Sequence, residues 1–263
     1  MTPANRSLYW IGYGVFLELI RRKDAYVLLI LMSLFFLGTG VIGLVGIENQ
    51  ETGTFLLNLG LTLAYYMAHL LLLILIVRQI PDEIENRTVY PLLAKPMSRS
   101  QMFLGKWIAC TLGGIVSLLV LGFLGWIPVP KGGAYSWPLL FQGLVLLICS
   151  LAMLAALAGA LSLLVPRAVA LVGLGLWFAF GSQAIVFLRA RAADGAPEFL
   201  ARWLTAYLPD FGKLNLITRY TDTVDPQVTA LGVGEFGGLI LYAAIFTALA
   251  LVAGVTIFNK RPL

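Results

Sequence analysis

The sequence predicts an all-α, polytopic membrane protein: six transmembrane helices, an N-terminal interfacial amphipathic helix and a short cytoplasmic helix between spans two and three. Three observations carry that expectation. Hydrophobic residues make up 60% of the 263-residue chain and charged residues 12%, with a mean hydropathy of +0.90, whereas a soluble domain carries about 25% charged residues. The apolar residues fall into runs of the length that crosses a bilayer, roughly 20 residues per helix, so the chain forms one membrane domain over 1–263 with little left for a soluble one. Finally, Lys and Arg gather at the ends of those runs. That placement accounts for the net charge of +5, and it gives nucleic acid no role as a partner.

From Asn5 to Asp24 the chain is too polar to span. Leu8, Ile11, Val15 and Leu19 share one helical face, while Arg6, Glu18, Arg21 and Arg22 supply charge, so this segment reads as a helix lying in the interface with lipid. The apolar run after Lys23 is longer than a signal-peptide core and no small-residue cleavage site follows it, so a cleaved leader is not expected. Spans are then expected at 25–46, 55–77, 107–127, 139–164, 168–188 and 236–258. The first ends in Gly38, Gly40, Gly43 and Gly46, and the fourth carries Ala152, Ala155, Ala156 and Gly159; small residues of this kind let helices approach closely. Pro166 and Arg167 make a tight turn between the fourth and fifth. In the long interval 189–235, Pro197 opens and Pro209 closes a short amphipathic helix through Phe199, Trp203 and Tyr207, which either caps an exit path or seals the end of the bundle.

Counting basic residues gives the topology. Arg6, Arg21, Arg22, Lys23, Arg78, Arg87, Lys95, Arg99, Lys106, Arg167, Lys260 and Arg261 fall on one side, which predicts both termini and the 78–107 interval in the cytoplasm, with the 189–235 loop as the discordant element. Within that interval, Pro81 followed by Asp82, Glu83 and Glu85 suggests a helix start, because proline fits the first turn and acids favour the positive end of the helix dipole. Lys95 and Pro96 break the run after Leu92 and Leu93. Ser98 and Gln101 then have capping-box spacing, so a new helix begins at Ser98 and runs through Gly105 and Lys106 into the third span.

The run Glu85, Asn86, Arg87, Thr88, then Leu92, Leu93, Ala94, Lys95, Pro96, then Ser98, Arg99, and then Leu104, Gly105, Lys106 resembles the signature of ABC-2 type transporter permeases. Leu208 to Leu216, LPDFGKLNL, is similar to a segment before the last span in permeases grouped with the maturation of multicopper enzymes and nitrous-oxide reductase. The resemblance implies that the 78–107 element is the coupling helix that touches a separate ATP-binding subunit. Its contacts would come from Asp82, Glu83, Glu85, Arg87, Thr88, Leu92, Leu93, Pro96, Ser98 and Arg99. It further implies a homodimer of this chain with two ATPase copies in a bacterial inner membrane, a role in metalloenzyme maturation, and room for a periplasmic partner at the 189–235 loop. Family members often carry Gly where this chain has Arg87.

What the chain lacks agrees with a separate engine. A phosphate-binding P-loop needs Gly five residues before Gly105 and Ser or Thr after Lys106, and Ser100 and Trp107 stand there instead, so ATP and Mg would be bound by the partner subunit and no cofactor is expected in this chain. Cys110 and Cys149 sit in apolar runs and read as small core residues.

A second candidate lies in the second span. Asn58, Thr62, Tyr65 or Tyr66, and His69 fall along one side of a helix at membrane depth, where polar groups either bond neighbouring helices or line a pathway or dimer seam. His69 is the single histidine, which leaves only a pair across two copies for any multi-histidine metal site. Gln142, Ser182 and Gln183 read as packing or interface groups. An intramembrane enzyme would need paired carboxylates or a nucleophile with its base, and no acid falls inside any predicted span. The alternative to a transporter is a scaffold that anchors an ATPase or assembly partner without moving cargo.

Overall fold

The computed structural model describes residues 50–85, 98–126, 137–193, 208–217 and 230–260, together with Ile30 and Ser33. Five long helices make up most of it: α1, Gln50–Glu85; α2, Arg99–Trp126; α3, Trp137–Ser162; α4, Arg167–Ala193; and α5, Val233–Lys260. Each contains a stretch long and apolar enough to cross a membrane. Among the described residues there is no strand. The first expected span, 25–46, falls outside them except for Ile30 and Ser33, whose hydroxyl donates to the Ile30 carbonyl at 2.9 Å. The N-terminal interfacial helix and the 197–207 helix lie outside them altogether.

Helices α1 and α3 form the centre and bury most of their spans, whereas α4 and α5 leave most of theirs facing outward. Sequence explains the difference. From Ser150 to Ser162, α3 is largely Ala, Gly and Ser, so α1, α2 and α5 can all press against its backbone; Ala155, Ala156 and Ala158 are fully buried. By contrast, α4 and α5 present Val172, Leu176, Phe180, Leu241, Ile245 and Leu249, apolar side chains that suit lipid.

One expectation is corrected here. Pro81 does not start a helix: α1 runs unbroken from Gln50 to Glu85 with Pro81 buried inside it. A proline costs its helix one backbone donor, and helices in membranes tolerate that loss where neighbouring groups compensate. The carbonyl that Pro81 leaves without its helical donor is that of Val77, and nearby the Nζ of Lys106 on α2 donates to the Gln79 carbonyl at 3.0 Å. Consequently Asp82, Glu83 and Glu85 form the last turn of α1, beyond its membrane-crossing stretch, not the first turn of a new element.

The start of α2 is fixed by a reciprocal cap. The Gln101 amide N–H donates to Ser98 Oγ at 3.3 Å, and the Ser98 N–H donates to Gln101 Oε1 at 3.1 Å. Just beyond, a small second core of Met102, Phe103, Leu163 and Phe258 joins the first turns of α2 to the ends of α3 and α5. Phe103 fits there because position 254 is glycine: a Cβ on Gly254 would collide with the tip of the Phe103 ring. Gly254→Ala therefore should lower stability by about 1 to 3 kcal/mol through overpacking, and adding Phe103→Leu should recover part of that loss. Thermal unfolding of the four proteins in detergent checks this, and strictly additive losses would contradict the contact.

Candidate functional site

Two groups of polar residues stand out, one at an end of the bundle and one in its middle. The first occupies the end where α1 finishes, α2 begins, α3 turns into α4 and α5 finishes. Arg78, Arg99, Lys106, Arg167 and Lys260 all belong to this basic end. There the Arg99 Nη1 donates to the Asn259 carbonyl at 3.4 Å, where α5 leaves carbonyls unpaired and a cation is favoured. Lys106 is almost fully buried against Gln79. Three helices are thus tied by side chains that start within the 98–106 segment. Of the coupling residues expected from the sequence, Asp82, Glu83 and Glu85 belong to the last turn of α1, and Ser98 and Arg99 to the start of α2. Arg87, Thr88, Leu92, Leu93 and Pro96 lie outside the described residues.

The second group is built on α1. Thr62 Oγ1 donates to Asn58 Oδ1 at 3.1 Å, one turn away, and both are partly buried. Deeper along the same face, Tyr65 and His69 are buried, and Tyr66 packs edge-on to Phe178 with ring centroids 5.8 Å apart. His69 lies about 16 Å along the helix from Asn58, at ~1.5 Å per residue, and is fully enclosed. Its Nδ1 is 2.8 Å from the Tyr65 carbonyl, which can only accept, so Nδ1 carries the proton. Its Nε2 is then the acceptor for the Ser150 hydroxyl on α3, at 2.9 Å. The Tyr65 ring also packs against the imidazole, 4.5 Å between centroids, so Tyr65, His69 and Ser150 form one cluster. Phe178 of α4 stacks on the imidazole, 4.6 Å between centroids and 14° from parallel.

Both nitrogens of His69 are taken up within one chain, so the cross-dimer histidine pair left open by the sequence has no nitrogen to use. Among the described residues, no three His, Cys, Asp or Glu side chains converge as a metal centre would need. A serine hydroxyl on an imidazole is also the beginning of a nucleophile and base. Here Ser150 and His69 are both fully enclosed, and the ring face is covered by Phe178.

The residues that the pattern of the sequence did not point to come from α3, α4 and the chain between α4 and α5. Residues 208–217 return into the bundle. Asp210 Oδ1 accepts the Gly212 N–H at 3.1 Å and caps a single 3-10 turn, Phe211–Leu214. Phe211, Leu214, Leu216 and Ile217 are buried in the main core, and Phe211 packs edge-on against Phe178 at 5.4 Å. Two side chains hold the segment. Trp177 Nε1 donates to the Pro209 carbonyl at 2.9 Å, and the Tyr242 hydroxyl accepts the Asp210 N–H at 2.8 Å. Gly212 lies so near Ser182 that a Cβ would come within 2.6 Å of the serine's own. The contacts reach Ser182 and Phe178, about 12 and 18 Å along α4 from the end of its span at Ala190. Irregular backbone at such depth is tolerated only where protein or water covers its polar groups, and these bonds supply that cover. The chain re-emerges at Leu231, whose N–H and carbonyl pair with the Gln142 side-chain amide at 2.8 and 3.0 Å. Gln142 is therefore a structural clamp, in line with the packing role read from the sequence.

Fold and site together define an all-helical membrane protein with a tied basic end and an enclosed polar centre. No family model matches the sequence, and no curated protein matches it.

Ser150→Ala should cost about 1 kcal/mol, because it leaves the buried His69 Nε2 without a donor. Exchanging both partners, His69→Phe with Ser150→Ala, should cost less than the two single changes added together. A double-mutant cycle on unfolding in detergent measures the coupling; zero coupling would contradict the bond.

Proposed function

We propose that this chain is the membrane subunit of an ABC-2 type transporter, a permease that uses ATP hydrolysed by a separate subunit. The observation that carries the reading is the construction of the basic end. Helix α1 continues past the end of its span at Gln79 to Glu85, carrying Asp82, Glu83 and Glu85, and α2 restarts at the Ser98 cap within the stretch that resembles the permease signature. Lys106 and Arg99 tie α2 to α1 and α5, and Phe103 wedges α2 against α3 and α5. A push on residues 82–99 would thus be delivered to four helices at once. The excess of cations supports a cytoplasmic assignment for this end, where an ATPase would be. No phosphate-binding loop is present in the sequence, so the nucleotide belongs to the partner.

In this reading two copies of the chain, six spans each with both termini in the cytoplasm, pair with two ATP-binding subunits in a bacterial inner membrane. The cargo or signal serves metalloenzyme maturation, the role to which the LPDFGKLNL run is similar. ATP-driven closure of the ATPase pair moves the 82–99 segment, and the bundle rocks about α3.

Cross-linking from Leu92 in native membranes should capture a protein that carries a P-loop, and the purified complex should hydrolyse ATP. Glu85→Lys combined with Leu92→Asp should release that subunit or uncouple its turnover. A complex that purifies intact with unchanged ATP turnover would contradict the docking role.

A further inference from the structure

The 208–217 segment covers an aromatic cluster in the middle of the bundle. Its Phe211 ring lies in an aromatic seat formed by Phe178, whose other contacts are Tyr65, Tyr66 and the stacked face of His69. Behind that seat stand three neutral polar groups, the Tyr65 and Ser150 hydroxyls and the His69 imidazole, the imidazole bonded to the Ser150 hydroxyl and to the Tyr65 carbonyl. In hydrocarbon such a set is costly to keep and is commonly functional.

Besides the burial of Phe211, Leu214, Leu216 and Ile217, the polar holds that neighbouring helices place on the segment are few. Trp177 and Tyr242 contribute one hydrogen bond each from α4 and α5, and Gly212 and Lys213 on its outer side are exposed. The Leu231 clamp on Gln142 is independent of these and holds the chain just before α5 begins.

We propose that residues 208–217 are a removable plug over a binding site whose floor is Tyr65, Ser150 and His69. Phe211 acts as a stand-in for the ligand. The class of ligand follows from what the plug leaves behind: an aromatic seat and neutral donors and acceptors. Asp210, the buried acid next to Phe211, belongs to the plug and departs with it. The site therefore takes a flat apolar body bearing one neutral hydroxyl or carbonyl, and disfavours an anion. This deepens the permease reading and rests on it, since plug release is what would connect the middle of the bundle to the side opposite the basic end.

The test needs no ATPase, so its failure is separate from failure of the docking role. In a Cys110→Ala, Cys149→Ala background, Ser150→Cys reports access to the floor through its rate of reaction with N-ethylmaleimide in detergent. Trp177→Phe with Tyr242→Phe removes both holds and should raise that rate about tenfold, the population gained on losing two hydrogen bonds of ordinary membrane strength. Met102→Cys in the separate basic-end core serves as control and should not change. An unchanged rate at position 150 would overturn the plug, as would an equal rise at Met102→Cys, which reports general loosening. With the plug released, naphthol should slow the labelling and naphthalenesulfonate should not. Equal protection by both, or by neither, would overturn the ligand class.

Discussion

A polar atom inside a bilayer has no water to turn to, and this constraint decides where each uncommon residue of the chain sits. His69 can lie in mid-membrane because the Tyr65 carbonyl and the Ser150 hydroxyl meet its two nitrogens. That pairing fixes the rotation of α1 and its register against α3. Once α1 and α3 are locked, Phe178 of α4 has a flat surface to stack on, and Phe211 has Phe178. The returning segment is thus the last layer of an order that begins at one imidazole.

The same constraint shapes the basic end differently. Lys106 is a cation with almost no exposure, and it is held by a carbonyl and an amide oxygen of Gln79. Such a group fastens α2 to α1 where the polypeptide leaves the apolar layer. Phe103 in the notch at Gly254 adds a rigid contact to α5. Polar ties and a tight aromatic fit at one end, with a hydrogen-bonded centre above it, give the bundle a stiff lower part. Residues 208–217 lie toward the other end, seated by four buried side chains and by hydrogen bonds from Trp177 and Tyr242.

Much of this was legible in the sequence, for physical reasons. Apolar runs of bilayer length gave helices α1 to α5, because hydrocarbon admits little else. The Ser98 and Gln101 spacing marked the start of α2, since a capping box is a local device. The face of Asn58, Thr62, Tyr65 and His69 followed from helical periodicity. Pro81 misled because its local preference for a first turn was overridden by the continuing helix and its buried surroundings. Ser150 carried no local sign at all: it is one hydroxyl in a run of Leu and Ala, and only the packing of α3 on α1 brings it to His69. The run Leu208 to Leu216 stands out only by its resemblance to a permease segment, and its return into the bundle is equally hidden until Trp177, Phe178 and Tyr242 are seen around it.

The seating of residues 208–217 inside the bundle is the feature on which the enclosed centre depends. Hydrogen–deuterium exchange of the unmodified chain in lipid nanodiscs tests it most directly. The account predicts that the amides of Asp210, Gly212, Asn215 and Ile217, each hydrogen-bonded, exchange far more slowly than a surface loop, though faster than mid-α3. Exchange within seconds, as for a surface loop, would contradict it.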